Sequence, residues 1–273
     1  MTTAEPPAAG CGDPYKRHPL TTPTPNYSAH LVKHRKALAL SILDEGFYCH
    51  IGYFDPEANA VRVVPRQYGR SGDSLYIHGP GPAPGSHLGD EHTSRLYRLI
   101  AQNRVSDVCV TVSLVDGLAL ARSAAHAALS YRSVVIYGKA CVVLDNSEDG
   151  EKAEALETIA NHIAPGYADD SRKADAAERK AVGIIRIDFR HVSSKVRTGG
   201  PARDGKDPQE FWAGVVPIRP VYGPPISSKD VPSTVRVPGY VRRLTGIRGA
   251  NDLDVAPPRH GEGEERPDGA PLF

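Results

Sequence analysis

The sequence is short of cysteine, of uncompensated charge and of long apolar runs. Its four cysteines, Cys11, Cys49, Cys109 and Cys141, lie far apart without a CxxC pair. That spacing excludes a zinc knuckle or a disulfide scaffold and suits a reducing, cytoplasmic setting. Lys and Arg total 33 against 32 Asp and Glu, a net charge of +1. So even a balance gives no electrostatic case for nucleic acid or an anionic membrane as partner. The longest apolar stretch, residues 37–43, is broken by Ser41 and is far too short to span a bilayer. Residues 1–12 have neither a basic start nor an apolar core, so no secretory signal is expected. Nucleotide and hydrolase signatures are missing as well. Gly69-Arg70-Ser71-Gly72 has the wrong spacing for a nucleophile elbow. The proline in Gly79-Pro80-Gly81 removes an amide that a phosphate loop would need.

What the sequence has in quantity is proline (24) and glycine (26), unevenly spread. They crowd residues 1–27 and 246–273, which read as flexible arms around one domain over 28–245. That length is ample for a core of its own.

Within the domain the hydrophobic period alternates between helix and strand. A helix is expected over 28–45, capped by Ser28, with Leu31, Leu38 and Ile42 on one face and Gly46 as its stop. Short β-like runs follow at 47–53, 60–68 and 74–78, then a helix at 93–102. Asp116-Gly117 reads as a hairpin turn between strands 105–115 and 118–122. Residues 131–145 form the strongest strand, apolar on both faces and therefore central. An amphipathic helix at 147–163 and strands at 181–192 and 211–218 complete the pattern. Strands in short runs that do not alternate with helices predict a mainly β fold (β+α): a small antiparallel barrel with peripheral helices.

Three constellations carry candidate chemistry. In the first, Arg62 and Arg66 share one face of a strand, Tyr76 and His78 end another, and Thr93-Ser94-Arg95 opens a helix. Hydroxyls, amides and a guanidinium together satisfy a phosphate dianion. A Ser-capped helix with a solvated arginine explains the same residues. In the second, Arg122, His126 and Arg132 bring donors toward Tyr131-Arg132-Ser133, as a planar ring with carbonyls would require; a loop with its own ion pairs is the alternative. In the third, Lys195 and Arg197 project to one side of an extended segment, followed by Trp212, the sole tryptophan. A basic turn with a core tryptophan accounts for these equally well. His87 and His92 flank Asp90-Glu91, but a solvated loop explains them and no metal is expected.

Taken in order, the motifs do more than each alone. Cys49-His50-Ile51-Gly52, Leu75-Tyr76-Ile77-His78-Gly79, Ser94-Arg95-Leu96, Asp116-Gly117-Leu118-Ala119-Leu120-Ala121-Arg122-Ser123, Tyr131-Arg132-Ser133-Val134, Lys195-Val196-Arg197-Thr198-Gly199 and Trp212-Ala213-Gly214 follow one another along the chain. The chain thereby resembles flavin-nucleotide-binding proteins of the pyridoxamine 5′-phosphate oxidase-like split-barrel superfamily, in its nitroimidazole-resistance-like branch. The resemblance covers about 28–245 and is carried most specifically by the Asp116–Ser123 and Tyr131–Val134 motifs.

The resemblance implies a six-stranded antiparallel split β-barrel, a homodimer, and FMN in a groove at the subunit interface. Arg62, Val63, Val64 and Pro65 would run along the flavin. Tyr76, Ile77, His78, Ser94 and Arg95 would approach the ribityl phosphate and ring edge. Tyr131, Arg132, Ser133, Lys195 and Arg197 would come from the partner chain; His126 and Trp212 complete the cofactor-binding set. Arg132, Lys195 and Arg197 are candidates to balance an anionic reduced flavin near N1. His78 is the candidate catalytic residue, as proton donor or substrate contact.

The chain departs from the family pattern twice. Residues 79–92, with four Gly and three Pro, separate the strand from the Ser-Arg helix. They are expected to control access to the flavin. His126-Ala127-Ala128-Leu129-Ser130 stands where the family carries His-His-Ser-x-Asn. The expected function is FMN-dependent oxidoreduction of a small organic substrate. The alternatives are a non-catalytic flavin- or haem-binding module and a specialised biosynthetic enzyme of the same fold.

Overall fold

The structure, a computed structural model, describes residues 12–21, 29–81, 94–145, 150–201 and 210–245. Helices α1 (Lys36–Glu45), α2 (Arg95–Ala101), α3 (Glu151–Ile163), α4 (Tyr167–Asp170), α5 (Ala176–Ala181) and α6 (Gly239–Leu244) surround a single sheet. Its strands are β1 (Val32–Lys33), β2 (Tyr48–Asp55), β3 (Ala60–Gln67), β4 (Gly69–Ser71), β5 (Ser74–Pro80), β6 (Asp107–Leu120), β7 (Ala128–Val143), β8 (Val182–Arg197) and β9 (Gly214–Pro217). The spatial order is β3-β2-β6-β7-β8-β5-β4, with β1 added to β8 and β9 to β6, and the pairings are antiparallel. One end of the path, β3, returns to β5, next to the other end, where Gln67 meets His78. The sheet thus curls on itself, as a split barrel does. Nine strands take part among the described residues, where six were expected. The extra ones are short additions to long strands.

Three local outcomes differ from the expectations. The first helix begins at Lys36, because Val32 and Lys33 are drawn into a ladder with Ser194 and Lys195 of β8. Its end at Gly46 is set by space: a Cβ there would lie 2.7 Å from Val112 Cγ1. Asp116-Gly117 is not a hairpin turn. It is a register shift inside β6, between Val115 and Gly117, where β9 joins the strand. Third, part of the expected N-terminal arm is docked. The Val192 N–H donates to the Pro14 carbonyl at 2.8 Å, and Tyr15, 5% exposed, belongs to the main core cluster. The Tyr15 hydroxyl donates to Asp73 at 2.8 Å. Residues 246–273 lie outside the described residues.

β7 is central, as its two-sided apolar pattern predicts. Strand alternation divides the sheet into two faces. The inner face carries Cys49, Ile51, Val110, Val112, Val134, Ile136, Ile187 and Val192, buried with Ile42 and Leu43 of α1 and Leu96 and Leu99 of α2. The outer face is covered at one end, where Ala155 and Ile159 of α3 pack on Val143 and Ile184. Elsewhere it is open, with Phe54, Val61 and Val63 at 53%, 75% and 61% exposure. Among the described residues no helix is long and apolar enough to cross a membrane.

Candidate functional site

The β2–β3 register decides which arginines can meet the loop ends. Tyr53 pairs with Arg62, Ile51 with Val64 and Cys49 with Arg66, so Arg62, Val64 and Arg66 share the inner side. Val63 and Pro65 pair with Gly52 and His50 and project outward. Arg66 then lines a small recess with Ile77, His78, Gly79, Ser94 and Tyr97. Ser94 is the N-cap of α2, yet its side chain makes no capping hydrogen bond. The capped-helix explanation of this serine therefore does not hold. The Ser94 N–H donates to the Pro80 carbonyl at 3.0 Å, which joins the two ends of the intervening loop beside the recess. Residues 82–93 of that loop, including His87, His92 and Thr93, lie outside the described residues.

His78 is half-buried, with its Nε2 against Gln67 Nε2. Burial, and then the nearby Arg66 charge, hold its pKa below the ordinary histidine value. At neutral pH the ring is the neutral imidazole, able to donate one N–H and to accept at the other nitrogen.

Arg95 and Arg62 meet a different fate. Asp55 continues the inward row of Cys49, Ile51 and Tyr53, and its side chain is fully covered. It accepts from Arg95 Nε at 2.5 Å, Arg62 Nε at 2.6 Å and Arg95 Nη2 at 3.1 Å. The backbone N–H groups of Glu57 and Ala58 add bonds of 3.0 and 3.1 Å. The cover comes from arginines that are themselves 44% and 39% exposed, so the cluster sits at the water boundary. The Arg95 hydrogen bond above all holds the Asp55 carboxyl far below the usual carboxylate range. Glu57 pairs with Arg95, Arg98 and Arg104 at 3.0, 2.6 and 2.7 Å.

A second group forms on the outer face of β7 and β8. Tyr131 pairs with Arg197 and Ser133 with Lys195. Lys195 Nζ lies 5.9 Å from the Tyr131 ring centroid, and Arg197 donates to the Leu129 carbonyl at 3.0 Å. Neither cation has a carboxylate partner among the described residues, and neither has Arg66. Arg132 alternates to the other face. Asp116 receives its Nε at 2.9 Å and its Nη2 at 2.7 Å, and Glu45 receives Nη2 at 2.8 Å. Those bonds push its pKa up.

The remaining expected residues are scattered. Tyr76 turns toward α3 and donates to Glu151 at 3.0 Å, a carboxylate that also takes Arg186 at 2.7 Å. Ile77 is 2% exposed and part of the core. His126 lies in a short 3-10 turn, with its Nδ1 covered and without a hydrogen-bond partner; Arg122 Nε is in the same position. Trp212 is 64% exposed, not a core residue, and its ring lies over Gly214 where a Cβ would come within 2.6 Å.

The structure thus gathers Ile77, His78 and Ser94 around Arg66, and separately gathers Tyr131, Ser133, Lys195 and Arg197. Sequence reasoning placed Arg66 beside Arg62 on one strand face but left it out of the cofactor-binding set, although its four-residue spacing from Arg62 was a usable signal. Asp55 was not singled out as a site residue from the sequence; its place in the alternating row beginning at Cys49 marks it as inward. A larger open cleft of about 450 Å³ lies between β4 and α3. Two of its polar groups are held by other partners: Arg70 by Asp44 at 2.6 and 2.8 Å, and His162 by the Gly46 carbonyl at 2.7 Å. No cluster of three or more metal-ligating side chains occurs among the described residues.

Comparison with known proteins agrees with this architecture. A family model described as pyridoxamine 5′-phosphate oxidase matches residues 35–196. The flavocytochrome Anf3 of Azotobacter vinelandii is similar at 29% identity and TM-score 0.70, over 83% of this chain and 97% of that one. The FAD and haem binding protein of Mycobacterium smegmatis is 25% identical with TM-score 0.67, over 80% of this chain and 100% of that one. A candidate 5-nitroimidazole antibiotic resistance protein of Bacteroides thetaiotaomicron is more distant, at 23% identity and TM-score 0.46 over 60% and 86%. No curated protein matches the chain.

Proposed function

The chain belongs to the pyridoxamine 5′-phosphate oxidase family, and on that premise we propose that it is a homodimeric flavin-binding oxidoreductase acting on a small organic substrate. The observation that supports this reading is a set of donors whose charge no carboxylate among the described residues answers: Arg66 and Arg197 meet only backbone carbonyls there. Arg66, Lys195 and Arg197 have no carboxylate partner among the described residues, and the Ser94 hydroxyl makes no cap bond. A phosphorylated, conjugated ring with carbonyl edges is an anion that such donors fit. When bound, the flavin supplies hydride or electron chemistry.

The chain's own residues have separate tasks in this reading. Ser94 and Arg66 hold the phosphate, with Arg95 beside them in an orientation fixed by Asp55. Lys195 and Arg197 offset negative charge on the ring. Neutral His78, steadied by Gln67, exchanges a hydrogen bond with substrate. Alternation sets Arg66 and Lys195 on opposite faces of the sheet, so one copy's recess meets another copy's outer face only in a dimer. The open Phe54, Val61 and Val63 surface supports the same arrangement.

The cofactor is FMN or the FMN half of a larger flavin. A second reading, FAD with haem, is favoured by the Mycobacterium smegmatis protein, which binds both, and by the flavocytochrome. An absorbance spectrum of purified protein, with chromatography of the released cofactor, tests both. Flavin bands with FMN released support the first reading, and an added Soret band with FAD supports the second. A colourless protein that takes up neither flavin overturns the proposal. Light scattering that reports a monomer at micromolar concentration would remove the dimer.

A further inference from the structure

Between β9 and α6 the chain runs through residues 218–238 with no helix or strand. Both ends are tied down. The Ile218 N–H donates to the Asp116 carbonyl at 2.9 Å, directly after β9 pairs with β6. Beyond the other end, Tyr240 of α6 packs on Tyr167 of α4 with ring centroids 6.0 Å apart. The stretch between is not a free tail but a span fixed at two points. Pro220, Pro224 and Pro225 stiffen its first half, residues 218–227, which carry no turn; tight turns follow, where the Val231 N–H donates to the Ser228 carbonyl at 3.1 Å and the Val235 N–H to the Pro232 carbonyl at 2.9 Å.

This span presents its apolar side chains to water. Val221 is 89% exposed, Ile226 96% and Val235 58%. Isolated exposed aliphatics are ordinary, but two nearly bare ones on a proline-stiffened span are ready to bind at low entropic cost. The open outer face of the same chain offers the complement, with Phe54, Val61 and Val63 all more than half exposed. A two-fold dimer requires a self-complementary surface, in which each copy supplies the strap and each supplies the face.

We propose that residues 218–238 form a strap that clasps a second copy of this chain, with Val221 and Ile226 seated on the partner's Phe54–Val61–Val63 surface. The inference rests on the dimer proposed above and adds the element that holds it. The strap starts after β9, whose Val216 is 44% exposed and lies beside Leu118 and Leu120 of β6 at 37% and 39%. The apolar band is therefore continuous from β6 into the strap.

Sedimentation of the full-length protein and of the double variant Val221→Asp/Ile226→Asp tests it. The wild type is expected as a dimer, and the variant's dimer dissociation constant should rise about tenfold or more, as two buried aliphatic anchors are lost. The changed positions are exposed in the single chain, so circular dichroism should be unchanged. If the aspartates disturb the fold, Val221→Ser/Ile226→Ser asks the same question and should weaken the dimer in the same direction. A dimer of unchanged affinity in a folded variant overturns the strap while the dimer stands. A monomeric wild type overturns both.

Discussion

The Asp55–Glu57 cluster and the outer face of β7–β8 both concentrate basic side chains, and they differ in what answers the charge. Around Asp55 and Glu57, four arginines share two carboxylates through direct bonds. On β7–β8, Lys195 has an aromatic ring beside it and Arg197 a carbonyl, and neither has an acid. The first arrangement ties β2, β3 and α2 together. The second leaves charge unspent at the surface, as a binding site requires. Basic residues alone therefore do not mark an anion site; in the reading proposed above, the missing carboxylate leaves Lys195 and Arg197 available for one.

The largest effect should come from breaking the satisfied cluster. Asp55→Ala leaves Arg62 without its partner and Arg95 with Glu57 alone. Thermal denaturation should show a fall in Tm of roughly 5–15 °C. The same residue shapes the acid limb of stability. Its folded-state pKa lies below its unfolded value, so its contribution is complete above the ordinary carboxylate range and disappears as pH falls through the lower, folded value. Asp55→Asn should flatten that part of the pH profile. An unchanged acid limb would show that the cluster is decorative.

Next come the uncommitted cations. Arg66→Ala and Lys195→Ala should each weaken flavin binding by about 1.5–3 kcal/mol, the scale of a charge-assisted hydrogen bond. Neither should change the Tm of the cofactor-free protein by more than about 2 °C. Arg95→Ala lies between the two regions and sharpens the comparison. It should lower Tm, because Arg95 holds Asp55, and it should lower flavin affinity as well if its guanidinium also reaches the phosphate. Isothermal titration with unchanged affinity in Arg95→Ala would assign the phosphate to Arg66 and Ser94 alone.

A smaller effect concerns His78, whose pKa is lowered by burial and by Arg66. A depressed folded-state histidine favours folding above its unfolded value near 6.5, and that advantage is lost as pH falls toward the folded value. Arg66→Gln should raise the His78 pKa, readable by NMR titration of the ring. No movement would place Arg66 outside the recess. The smallest effect is expected for Arg98→Ala. Glu57 keeps Arg95 and Arg104 as partners, and Tm should move by about 2 °C or less.

Much of the fold was legible because it rests on local periodicity. The apolar run centred on Val134 and Ile136 could only be a central strand, and β7 is one. Where long-range pairing competed, local signals misled. Val32-Lys33 looked helical in isolation and is a ladder partner of β8. Asp116-Gly117 looked like a turn and is a bulge held by β9. In the recess, Ser94 and His78 were readable as neighbours from their places at element ends. The availability of each arginine was not, since it depends on carboxylates far away in sequence, such as Glu45 for Arg132.

By itself the sequence determined the fold class, the central strand and the residue types available for binding an anion. These follow from patterns of period two and from composition, which any compact arrangement of the chain must respect. Only the tertiary structure decided which of those cations are spent. Register set Arg132 against Asp116 and Glu45, put Asp55 beneath Arg62 and Arg95, and left Arg66, Lys195 and Arg197 without an acid. Charge is a property of the residue; its neutralisation depends on neighbours within a few ångströms, and those neighbours are chosen by the pairing of strands.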